Sequence, residues 1–231
     1  MSESQPQKIG KNYHFGVDVL VIGNRRVGKS SIIEAWTNKD EHNQSKENSN
    51  QYEKLYEIKS NPKSSGDFNS TELAHKVTYW EHTTGEHESS IVSFCAGKAV
   101  FVGVIDVTNQ RSLLKMAEFL ESIANEIFIV KVILANKSNE EGNDTESKKD
   151  SFVKINEVEQ LADEHNCTLF ETSAFTNTGL QEAENFIIQS IAQSIPFPPE
   201  PSLLLNSNIR IGDLLSTNQL FVKSIYTRFS T

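Results

Sequence analysis

The run Gly23-Asn24-Arg25-Arg26-Val27-Gly28-Lys29-Ser30 satisfies the pattern G-x-x-x-x-G-K-[ST]. In that pattern glycines let main-chain N–H groups wrap a phosphate, a lysine neutralises β/γ charge, and the serine hydroxyl ligates Mg²⁺. Gly23, Arg26, Val27, Gly28, Lys29, Ser30 and Ser31 form the candidate phosphate-binding set, with Ser30 also a candidate metal ligand. A glycine-rich turn without a ligand is the plainer alternative. It is disfavoured because an apolar strand precedes the run and a helix follows it.

The elements that must position this cradle are readable from periodicity. Residues 15–22 are a β-branched apolar run of strand length, and Ile32, Ile33 and Trp36 mark a short helix. Residues 51–58 and 73–80 read as a hairpin whose long separator is turn chemistry. Residues 99–105 are a continuous apolar run, as expected of a central parallel strand covered on both faces, and residues 127–135 read as another buried strand. Leu113, Ala117, Leu120 and Ala124 mark one helix face, residues 157–165 a further helix, and residues 168–171 a short strand. A last helix carries Leu180, Ala183, Ile187 and Ile191. Strands alternating with helices at this pace predict an α/β fold: a mostly parallel, doubly wound, six-stranded sheet with helices on both faces. Residues 1–12 read as disordered and residues 13–195 as the domain. Residues 196–231 read as a Pro-rich break and an apolar tail, with patches at 203–205 and 214–226. Residues 38–51 and 138–152 read as polar loops.

The 231 residues carry 22 Lys and Arg against 31 Asp and Glu, a formal charge of −9. That balance argues against nucleic acid or anionic lipid as the main partner. Two cysteines exclude a disulfide scaffold and fit a reducing compartment. No apolar stretch approaches the roughly 20 residues of a membrane span, so a cytoplasmic location is expected.

Three later motifs narrow the nucleotide. Ile133-Leu-Ala-Asn136-Lys137-Ser-Asn139 resembles the guanine-recognition motif N-K-x-D, and Glu171-Thr172-Ser173-Ala174 the E-T-S-A loop of Ras-like GTPases. Asp106-Val107-Thr108 resembles the D-V-T of the Rab branch. Order and spacing agree from about residue 13 to 195, so the chain resembles a Ras-superfamily G domain, nearest to Rab. The resemblance implies GTP or GDP with Mg²⁺ as cofactors and protein effectors or regulators as partners. It implies that Asn136 and Lys137 bracket the base while Ser173 and Ala174 support it. Ser49 lies near the expected distance for the hydroxyl that the first switch loop lends to the metal.

The resemblance also has gaps. The family's D-T-A-G-Q aligns with His82-Thr83-Thr84-Gly85-Glu86. Gly85 would face the γ-phosphate, and Glu86 stands where a glutamine orients the attacking water. His82 is a poor ligand for a hard cation, or simply a histidine at a strand end. Arg25 either crowds γ-phosphate space or acts as an arginine finger in cis. Asn139 replaces an aspartate that accepts two hydrogen bonds from guanine, which predicts a weakened guanine preference. The tail ends without the cysteines that carry Rab prenyl groups, so membrane association is expected only through a partner.

Two functions follow. The first is a Rab-like guanine-nucleotide switch with weak or absent hydrolysis, related to vesicle traffic. The second is a pseudo-GTPase scaffold that does not cycle nucleotide. A phosphoryl-transferring kinase is a third, weaker reading, because it has no use for Asn136-Lys137 and Ser173-Ala174.

Overall fold

The computed structural model describes residues 15–37, 51–59, 72–84, 95, 98–137, 152–194 and 209–210. Expectations for residues 1–12, the two polar loops, the Pro-rich break and the two apolar tail patches lie outside them.

Strand β1 (Phe15–Gly23) is the middle of the sheet. It pairs in parallel with β3 (Glu72–Thr83) on one side and β4 (Val100–Asp106) on the other. β2 (Gln51–Lys59) adds antiparallel to β3, as the hairpin reading predicts. β5 (Val130–Asn136) and β6 (Thr168–Glu171) continue in parallel, giving the order β2-β3-β1-β4-β5-β6. The six-stranded, mostly parallel α/β sheet is therefore present. A two-residue seventh strand, β7 (Ile209–Arg210), pairs with Phe15 and Gly16 of β1. It lies on the flank that β4 reaches only from Val19 onward.

Strand alternation builds two cores. Val17, Val19 and Val21 of β1 point to one face, where α1 (Lys29–Thr37) and α4 (Leu180–Ser194) cover them with Ile32, Ile33, Trp36, Ala183 and Ile187. Leu20 and Ile22 point to the other, under α2 (Gln110–Ser122) and α3 (Ile155–Glu164). Helices on both faces explain why β4 is buried throughout. On α2 the buried stripe is Leu113, Met116, Phe119 and Leu120. Ala124 lies past the helix end at Ser122 and is exposed, so the expected face is one turn too long.

A buried polar knot joins the first face to the edge strand. Glu184 of α4 accepts hydrogen bonds from Lys54 Nζ (2.9 Å) and Tyr56 Oη (2.6 Å) on one oxygen, and from Gln181 Nε2 (3.0 Å) on the other. Lys54 Nζ also donates to the Trp36 carbonyl of α1 (2.7 Å). The Tyr56 and Tyr79 hydroxyls meet at 2.6 Å. Burial first, then the neighbouring Tyr79 hydroxyl and Glu184 carboxylate, push the Tyr56 hydroxyl far above its ordinary range. Both tyrosines stay protonated and keep donating. No described helix is long and apolar enough to cross a membrane.

Candidate functional site

Because β1, β3, β4, β5 and β6 run in parallel, Gly23, Thr83, Asp106, Asn136 and Glu171 all end on one edge of the sheet. Ligands of open α/β sheets bind outside that carboxyl edge. A cavity of about 520 Å³ opens there. Arg26, Gly28, Lys29, Ser30 and Ser31 line it from the β1–α1 loop, and Asn136, Lys137, Ser173 and Ala174 from the ends of β5 and β6. Arg26 and Ala174, 148 positions apart in sequence, thus meet in one site. Gly23 and Val27 are buried. Arg25 is exposed, does not line the cavity, and its N–H is held by the Asn24 side chain at 2.9 Å. Ser49, Gly85, Glu86 and Asn139 lie outside the described residues.

Lys29 is 4% exposed, and its ammonium donates to the main-chain carbonyls of Gly23 (3.1 Å) and Asn24 (2.9 Å). These bonds hold the charge across the mouth of the loop. Gly28 has φ +100, and a Cβ there would lie 2.4 Å from Asn136 Nδ2, so only glycine fits. Asn136 Nδ2 donates to the Val27 carbonyl (2.8 Å), while its Oδ1 accepts from Ala174 N–H (3.0 Å). Asn136 therefore clamps the phosphate loop to the Ser173-Ala174 loop. Lys137 pairs with Asp106 at 2.7 Å, and the other Asp106 oxygen accepts from Thr108 N–H and Oγ1. The D-V-T turn thereby fixes the Lys137 ammonium. Arg26 (φ 63) and Lys137 (φ 67) both hold left-handed backbone, at a cost of about 1–3 kcal/mol each. Strain of that kind collects at ligand clamps.

The carboxylate beside the Ser30 hydroxyl belongs to an unexpected residue. Ser30 Oγ donates to both carboxylate oxygens of Glu81, at 2.9 and 3.0 Å. Glu81 lines the cavity, and its register partner on β1 is Val21, whereas His82 is opposite Ile22. Alternation then sends His82 to the other face of the strand. The alignment anchored on Gly85 sets the carboxylate position at His82; the strand register sets it at Glu81, one residue earlier. The carboxylate that meets Ser30 therefore stands one position before the one the motif alignment indicates. An acidic residue ending a strand beside the cradle was the available signal.

A fixed ammonium, a loop closed to any Cβ at Gly28, and a hydroxyl–carboxylate pair fit a phosphate with Mg²⁺. Lys29 would hold the phosphate, and Ser30 with Glu81 the metal. Mg²⁺ supplies charge neutralisation across phosphate oxygens. If Glu81 supports the metal, Glu81→Ala should weaken apparent Mg²⁺ affinity about tenfold or more, while His82→Ala leaves it unchanged. Magnesium titration of nucleotide release checks this, and equal effects of the two substitutions would refute the displaced carboxylate.

The Ras family profile matches residues 18–193. The chain belongs to the Ras family. No curated protein matches it. Ras-family GTPases bind GTP or GDP with Mg²⁺ and act through protein effectors and regulators, and this chain places a phosphate cradle where that family binds its nucleotide. The phosphate loop of this Ras-family domain carries arginine at positions 25 and 26, and only Arg26 reaches the cavity wall.

Proposed function

We propose that this Ras-family protein is a Rab-like guanine-nucleotide switch that hydrolyses GTP weakly or not at all and recruits protein partners, in vesicle traffic by resemblance. Mg²⁺ is its metal. The observation that carries the reading is the Lys29–Ser30–Glu81 arrangement, which keeps a cation, a hydroxyl and a carboxylate together at the phosphate end of the cavity. A scaffold that no longer bound nucleotide would have no need to hold a lysine buried there or to keep left-handed backbone at Arg26.

Slow hydrolysis rests on different residues. By resemblance, Glu86 is an acid at the motif position where a neutral glutamine orients the attacking water. Phosphoryl transfer depends on positioning and charge stabilisation, so this defect acts on rate more than on binding. Intrinsic turnover is expected at or below the roughly 10⁻⁴ s⁻¹ scale of an unassisted Ras-type GTPase. Single-turnover measurement on GTP-loaded protein with Mg²⁺ tests this. Turnover far above that scale would mean that an arginine acts as a finger in cis. Chromatography of nucleotide released from purified protein separates the two functions: guanine nucleotide supports the switch, and an empty site supports the scaffold.

A further inference from the structure

Phe175 is 90% exposed, although burying a phenylalanine is worth roughly 1.5–3 kcal/mol. Its backbone is not loose. On one side Ala174 N–H is tied to Asn136, and on the other Thr176 N–H donates to Ser173 Oγ at 3.3 Å. The loop is closed by Ser173 N–H to the Thr178 carbonyl at 3.0 Å. The ring is therefore presented from a braced loop, and it lines the same cavity as Lys29 and Asn136.

Several polar atoms around it already have partners within the protein. Both ends of the Asn136 amide are used within the protein, the Ala174 N–H is spent on Asn136, and Ser173 Oγ accepts from Thr176. The Lys137 ammonium is paired with Asp106. Among the described residues, this end of the cavity also offers a flat aromatic face that no contact within the loop uses. Aromatic rings with two rotatable bonds bind flat partners at little entropic cost, and every nucleobase has a π-face.

We propose that Phe175 is a stacking residue for the base of the bound nucleotide, holding it by its π-face. The inference rests on the nucleotide-binding reading above. The two are separable by ligand, because tripolyphosphate has the phosphates and lacks the base.

The experiment is calorimetric titration of GDP and of tripolyphosphate, each with Mg²⁺, into the full chain and its Phe175→Ala and Phe175→Trp variants. The exposed position lets both substitutions fold. Phe175→Ala should weaken GDP about tenfold, as for loss of one base–aromatic stack, and leave tripolyphosphate unchanged. Phe175→Trp should bind GDP at least as tightly as the wild type. GDP affinity within twofold of wild type in Phe175→Ala overturns the stacking role and assigns the ring to a protein partner instead. Equal weakening of GDP and tripolyphosphate overturns it too, because the substitution then disturbs the loop rather than a stack. Wild-type protein that binds neither ligand overturns the nucleotide reading and this inference together.

Discussion

Lys29→Ala should lower affinity for GDP by at least a hundredfold and leave purified protein free of nucleotide. The Lys29 ammonium is buried and pinned over the loop by two carbonyls, so its charge is fixed where the phosphate end of the ligand must lie. One pair of unit charges 4 Å apart is worth about 4 kcal/mol at an effective dielectric near 20. Even half of that is more than a factor of 10, and a diphosphate presents more than one charge. Alanine removes the cation and also the two bonds that shape the loop mouth. Fluorescent-nucleotide titration measures the loss. Equal affinity of variant and wild type would place the nucleotide, if it binds, outside this cavity.

Glu184→Ala should destabilise the fold by about 3–5 kcal/mol, although Glu184 lies outside the nucleotide cavity. The substitution leaves Lys54, a half-buried cation, without its carboxylate, and removes the acceptor from Tyr56 Oη and Gln181 Nε2. Breaking a buried pair from one side costs that much because the remaining charge is uncompensated. The double variant Lys54→Met, Glu184→Leu removes both charges and should lose less than Glu184→Ala alone. Urea unfolding at one fixed nucleotide concentration tests the pair, since bound ligand itself adds stability. A loss below 1 kcal/mol in Glu184→Ala would mean that the knot contributes little.

Much of the sheet was legible because its central strands are mostly apolar, with single charged interruptions at Asp18 of β1 and Lys131 of β5. β4 and β5 fall within three residues of their predicted starts, and all four predicted apolar positions of α4 are buried. The cradle was legible because its motif is local: Gly28, Lys29 and Ser30 are adjacent, and their roles follow from residue type. What escaped depends on register or on distance. Glu81 faces Ser30 because of how β3 slides along β1, and nothing in residues 81–86 states that offset. Glu184 and Lys54 are 130 residues apart, and an isolated glutamate on a helix reads as a solvated surface residue until the strand that covers it is known. Phe175 sits beside a motif that drew attention to Ser173 and Ala174, while its own exposure is visible only in three dimensions.

The small strand β7 gives the far end of the chain a task at the end of β1 opposite to Gly23. Phe15 and Gly16 have β3 on one flank, and on the other they have Ile209 and Arg210. A strand with an open flank is a template on which a neighbouring molecule can add its own backbone. In this protein the template is filled in cis, over the two positions that β4 leaves uncovered. Drawing residues 209–210 away from β1 would take this strand off the flank of Phe15 and Gly16, at the end of β1 opposite Gly23.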